Sequence, residues 1–176
     1  MEKIFYANKS DFETSEIAVK HILQKYFGIA SPVILRSEHG KPYLENEKEL
    51  KVYFSISHTK EMLFISVSNQ NVGIDAENVQ REVDYSPIAK KFPKEEQEEI
   101  CSRGDFLLHW VVKESAVKWL GGTISLDLKK IAYSQEKITY DNRVIPVLST
   151  IKKFKNHLVC VCCEKDFSNA EWISIS

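Results

Sequence analysis

The sequence has no marked excess of charge of either sign. Its 24 Lys and Arg stand against 25 Asp and Glu, and the formal net charge is −1. A general nucleic-acid binder carries a basic excess, so nucleic acid is not expected as a partner. No apolar run is long enough to cross a bilayer. Residues 1–13 hold neither a long apolar segment nor a small-residue cleavage pattern. No membrane span and no secretory signal are therefore expected. Linkers, low-complexity tracts and clear repeats are missing too. That leaves 176 residues, 43% of them hydrophobic, as one domain (1–176) with apolar material for a core.

Cysteine is scarce: Cys101, Cys160, Cys162 and Cys163. No second ligand pair lies at zinc spacing from the last three. They read as small apolar thiols on a buried strand, and reduced thiols suit a cytoplasmic setting. A structural or redox protein built on these three cysteines is one alternative, and stoichiometric zinc in the protein would mark it.

The patterns that are present outline an α+β chain. Lys3 to Ala7 reads as a strand. Ser10 with Glu13 forms a capping-box pattern for a helix ending at Phe27, with Ile17, Ile22, Leu23 and Tyr26 on one face and Gly28 as the stop. A short strand at 33–35 and a Gly-Pro turn at 38–42 follow. Strands at 52–57 and 62–67 form a hairpin through His58 to Glu61. A third strand, Val72 to Ala76, comes after a short turn, so a three-stranded meander is expected. Ser86-Pro87 opens a helix. The piece after Pro93 carries Glu95, Glu96, Glu98 and Glu99, which reads as a solvated face. Asp105 is the expected N-cap of a long helix that stops at Gly121-Gly122. Strands are expected at 131–133, 144–148, 158–163 and 172–175.

Two stretches carry chemistry. In Val72-Gly73-Ile74-Asp75-Ala76-Glu77, strand alternation puts Asp75 and Glu77 on one face and Val72, Ile74 and Ala76 on the other. Two carboxylates at a strand end suit a hard cation such as Mg²⁺. On the long helix, Glu114 and Lys118 are four apart and share a face with Trp110. The surrounding residues are apolar nearly all round, which marks a largely buried helix. Buried charges need partners, so Glu114 and Lys118 are expected to face a site.

Gly73-Ile74-Asp75-Ala76-Glu77, followed by Trp110-x-x-Lys113-Glu114-Ser115-x-x-Lys118, resembles the two signature motifs of the 4′-phosphopantetheinyl transferases. The Lys-Glu-Ser form resembles the surfactin-synthetase-activating type. Gly40-Lys41-Pro42-Tyr43 and Phe54-Ser55-Ile56-Ser57-His58-Thr59 agree, in the family's order. Two departures are visible: Ala76 replaces a usually β-branched residue, and the segment before Gly40 is short.

The resemblance implies the family's α+β fold, with two pseudo-symmetric halves at roughly 1–70 and 71–176, the first shortened, working as a monomer. It implies transfer of the phosphopantetheine arm from coenzyme A to a serine of an apo acyl, polyketide or peptidyl carrier protein, with release of adenosine 3′,5′-bisphosphate. Asp75, Glu77 and Glu114 would hold Mg²⁺, with Mn²⁺ the other candidate. Glu114 would also be the base, and Lys118 would neutralise the phosphates. Lys41, Pro42, Ser57, His58, Thr59, Asp75 and Lys118 would contact coenzyme A, with His58 on the 3′-phosphate. Lys90, Lys91 and Phe92 are the expected carrier-docking segment, Phe92 being either an exposed anchor or a core residue. The alternative within the family is a non-catalytic module that binds coenzyme A or a carrier.

Overall fold

A computed structural model describes residues 1–176. Two sheets lie face to face with one helix on each outer side. The first sheet has the order β12-β1-β5-β4, from β1 (Lys3–Asn8), β4 (Tyr53–His58), β5 (Met62–Ser68) and β12 (Glu171–Ser174). The second has the order β10-β11-β6, from β6 (Val72–Asn78), β10 (Leu148–Phe154) and β11 (His157–Cys163). Helix α1 (Ser15–Phe27) covers the first sheet and α5 (Arg103–Leu120) the second.

Strand alternation sorts the side chains into three cores. Phe5, Ala7, Leu63, Ile65 and Val67 face α1 with Ile22 and Leu23. Ile4, Met62 and Phe64 turn the other way and meet Val72, Ile74, Ala76, Val159 and Val161 between the sheets. Cys160, Cys162 and Leu158 face Phe106, Val111 and Val112 of α5. The inward placement of Val72, Ile74 and Ala76 follows from the period of two. Cys160, Cys162 and Cys163 are buried on β11, and all four cysteines are free.

Short elements complete the chain. Strands β2 (Ile34–Arg36) and β3 (Pro42–Leu44) form a hairpin, and α2 (Glu47–Leu50) leads into β4. Helices α3 (Ser86–Ala89) and α4 (Lys94–Glu99) precede α5, and α6 (Ile124–Asp127) follows it. Strands β7 (Ile131–Ser134), β8 (Lys137–Tyr140) and β9 (Arg143–Val144) form a separate sheet.

Several sequence expectations change. The β4–β5 hairpin forms, but β6 leaves it and pairs with β11. Between β4 and β6 the backbone ladder is replaced by side chains: Ser55 Oγ accepts the Ile74 N–H and Ser57 Oγ accepts the Ala76 N–H, each at 3.1 Å. Serines on β4 thus take up the donors a third meander strand would have used. Helix α1 starts at Ser15 because Thr14, not Ser10, caps it, accepting the Ile17 N–H at 3.2 Å. Ile17 points outward. Helix α5 is capped by Ser102, which accepts the Asp105 N–H. Gly28 and Gly121 end α1 and α5 in the left-handed region, at φ 68° and 74°. The strand expected at 144–148 is split between β9 and β10. The acidic run is not wholly solvated, since Glu96 is completely buried.

Candidate active site

Strand β6 and helix α5 bring the two signature stretches together. They can approach closely because position 73 is glycine: a Cβ there would lie 2.0 Å from the Ser115 carbonyl oxygen and 2.6 Å from the Trp119 nitrogen. Asp75 then faces Lys118. Its Oδ1 accepts from Lys118 Nζ at 2.7 Å and from Ser57 Oγ at 3.0 Å. Lys118 Nζ also donates to the Ile74 carbonyl at 3.0 Å. Asp75 Oδ2 is buried and has no partner. Glu77 Oε1 accepts from the Trp110 indole N–H at 3.2 Å.

A cleft of about 410 Å³ opens on this group. Ser57, His58, Asp75, Glu114 and Lys118 line it, together with Pro42. Its far wall is the start of α1 (Ser15, Glu16) and Arg36 of β2. The cleft therefore runs from Asp75 and Glu114, past β4, to the first helix, while Glu77 lines an adjoining cavity of about 620 Å³.

The electrostatics mark a crowded acidic group. Burial, then the charge of Asp75, pushes the Glu114 carboxyl up to about 7. The same two causes in the same order raise Glu77. No three of the acidic, His or Cys side chains converge on one point. Ser57 and Lys118 hold Asp75, while Trp110 holds Glu77. Even so, the donor set fits a hard cation: carboxylate oxygens, one of them buried and unpartnered, whose mutual repulsion a positive charge would relieve.

The remaining expected contact residues divide. His58 is exposed on the cleft and on an adjoining cavity of about 620 Å³. Thr59 lines only the second; its hydroxyl accepts from Met62 N at 3.1 Å and bonds His157 Nε2 at 3.0 Å, so it closes the hairpin turn. Lys41 turns away from the cleft: its ammonium meets Asn71 Oδ1 at 3.0 Å and the Val72 carbonyl at 3.4 Å. Burial, partly offset by Glu47, lowers its pKa to about 8. Lys90 and Lys91 are exposed. Phe92 is not: it stacks on Phe106 and Trp110 in the core under α5.

Sequence reasoning missed three features. Arg36 stands beside a turn with no local pattern to mark it, and only the fold brings it to the cleft. Helical spacing marks Trp110 as a face-mate of Glu114, not as the donor to Glu77. The acidic run marks Glu96 as a surface residue, yet it pairs with Lys113, which lies next to Glu114 in the chain.

Residues 71–162, which hold both signature stretches, match the family model described as the 4′-phosphopantetheinyl transferase superfamily. The chain is also similar to the "4'-phosphopantetheinyl transferase gsp" of Aneurinibacillus migulanus, at 26% identity over 97% of this chain and 76% of that protein. The match takes in β6, α5 and β11, the elements that position Asp75, Glu77, Glu114 and Lys118, and the chain belongs to the 4′-phosphopantetheinyl transferase superfamily, an enzyme of that transferase class.

Proposed function

We propose that the protein transfers the 4′-phosphopantetheine arm of coenzyme A to a serine of an apo carrier protein, releasing adenosine 3′,5′-bisphosphate. The observation that carries this reading is the grouping of Asp75, Glu114 and Lys118 on one open cleft, with Lys118 Nζ 2.7 Å from Asp75 Oδ1. A carboxylate within reach of the attacking hydroxyl can take its proton. Glu114 accepts the proton of the carrier serine as its oxygen attacks the β-phosphorus. The phosphoanhydride bond breaks and the bisphosphate leaves. Lys118, already at Asp75, offsets the charge that builds on the phosphates.

Asp75, Glu77 and Glu114 would hold Mg²⁺, with Mn²⁺ the other candidate; when bound, the ion supplies charge neutralisation at the pyrophosphate. His58 donates to the 3′-phosphate at the cleft edge. Pro42 and Ser57 line the same cleft. Thr59 stands beside His58 on the adjoining cavity, whereas Lys41, bonded to Asn71 and Val72, does not reach the cleft.

The carrier docks at the exposed Lys90 and Lys91, with Phe92 packed beneath them as support. This segment borders the site, since Ile88 and Glu77 line one small cavity. We read residues of roughly 1–70 and 71–176 as the family's pseudo-symmetric halves, with β12 of the second crossing to pair with β1 of the first, and one chain as sufficient for the site. No helix is long and apolar enough to cross a membrane. A cytoplasmic setting is supported by the four free thiols.

The test is incubation with coenzyme A, Mg²⁺ and a panel of apo carriers, read by mass. Gain of the phosphopantetheine arm on one carrier is the expected result. Coenzyme A binding with no transfer to any fatty-acid, polyketide or peptide carrier would instead favour a non-catalytic binding module.

A further inference from the structure

Under α5, on the side away from the cleft, lies a buried polar hub. Glu96 is 0% exposed, Lys113 is 0% and His109 is 4%. Glu96 Oε2 accepts from Lys113 Nζ at 2.6 Å, and Oε1 accepts from His109 Nδ1 at 3.1 Å and from the Tyr133 N–H at 3.0 Å. Lys113 also donates to the Ile131 carbonyl and lies 4.3 Å over the Phe92 ring. His109 Nε2 is 3.5 Å from Glu99. One carboxylate of the short helix α4 thus ties two turns of α5 to strand β7.

A buried ion pair is a weak source of stability, because desolvation offsets the Coulomb attraction. Its hydrogen bonds are directional, however, and apolar packing is not. The stripe His109–Lys113 stands next to the stripe Trp110–Glu114–Lys118 on the same helix. Fixing the first fixes the rotation of the second. Gly73 sets how close α5 comes to β6, and on that side the polar bonds of the roll-sensitive stripe, Lys118 to Asp75 and Trp110 to Glu77, belong to the site itself; the Glu96 bonds are the polar anchor on the other side. A side-chain end stands about 5–6 Å from the helix axis, so a roll of about 10° carries it about 1 Å. A misplacement of that size can cost roughly 10²-fold in rate.

We propose that Glu96, through Lys113, is a positioning residue that holds α5 at the rotation in which Glu114 and Lys118 face Asp75. The inference rests on the transferase reading, but it has a readout that does not. The Trp110 indole donates to Glu77 only at that rotation, so its ¹H–¹⁵N signal, assigned with Trp110→Phe, reports the roll directly.

The variant to make is Glu96→Gln with Lys113→Met. The glutamine oxygen can still accept from His109 and Tyr133, and no unpaired charge stays buried. The expected result is a melting temperature near that of the parent, with any rise in KM for coenzyme A traced to the displaced Lys118. kcat should fall at least 10-fold, and the Trp110 indole signal should move. Glu96→Asp is the second variant, should the double variant fail to fold: it keeps the charge pair but draws the carboxylate back by one methylene, so a smaller fall in kcat and the same direction of indole shift are expected. A folded variant with parental kcat and an unmoved indole signal overturns the proposal. So does a loss of activity that only tracks a loss of melting temperature, with the indole signal unmoved. If the parent protein itself transfers no arm, the transferase reading fails, and the indole signal still decides the hub.

Discussion

At position 75 one carboxylate oxygen takes Ser57 and Lys118 while the other is buried with no partner. An unpaired buried polar atom costs about 1–3 kcal/mol, so stability alone does not account for Asp75. Asp75→Ala should fold with a normal melting temperature and lose transfer. Metal affinity should drop by an order of magnitude or more, given that loss of even an outer-shell partner costs roughly 10–100-fold. Near-normal turnover of the folded variant in a Mg²⁺ titration would rule the assignment out. Glu114 carries a pH signature. Its folded pKa of about 7 stands above the ordinary 4.5, from burial first and Asp75 second. The protonated form therefore favours the folded state; that contribution is complete below pH 4.5 and is lost as pH rises to about 7. The melting temperature of the metal-free protein should fall across this window, and the slope should flatten in Glu114→Gln. Parallel slopes for the two proteins would contradict the burial of this carboxyl among like charges.

Elements meet here through small residues. Gly73 lets α5 touch β6, and a methyl group there would strike backbone atoms that cannot move independently. Overpacking costs about 1–3 kcal/mol, occasionally more, so Gly73→Ala should lower the urea midpoint and disturb the site together. Measured unfolding with an unchanged midpoint would mean that α5 shifts freely on the sheet. The glycine was visible in the sequence, but its reason was not. A glycine before two carboxylates can serve a bulge, a turn or a close approach, and only the partner helix selects the last. The same holds for Ser55 and Ser57. Their alternation placed them on one face of β4, yet their bonds to Ile74 and Ala76 depend on a strand from the other sheet.

For the whole molecule, near-neutral charge means that any steering of a partner must be local. Lys90 and Lys91 are adjacent exposed cations in the segment between β6 and α5, which also carries the exposed Arg81 and Lys94. If that segment docks the carrier, Lys90→Glu with Lys91→Glu should slow carrier association and remove much of its salt dependence. Coenzyme A binding should hold, because neither lysine lines the cleft. Unchanged carrier kinetics across a salt series would sink the docking surface and leave the transferase assignment standing.

The sequence by itself determined the features that depend on near neighbours in the chain. Gly28 and Gly121 ended their helices, and the period of two sent Val72, Ile74 and Ala76 inward. Asp75, Glu77, Glu114 and Lys118 were legible because their spacing on one strand and one helix already assigns each to a face. What the tertiary structure decided is which surfaces meet. β6 abandoned the meander for β11, and β12 returned to pair in parallel with β1. Phe92 went into the core, and Lys41 turned to Asn71 rather than to the cleft. Glu96 shows the physical reason most plainly. In a run of glutamates, solvation favours every one of them equally; burial of a single member is repaid only by Lys113, His109 and the Tyr133 N–H, which the fold alone brings within bonding distance.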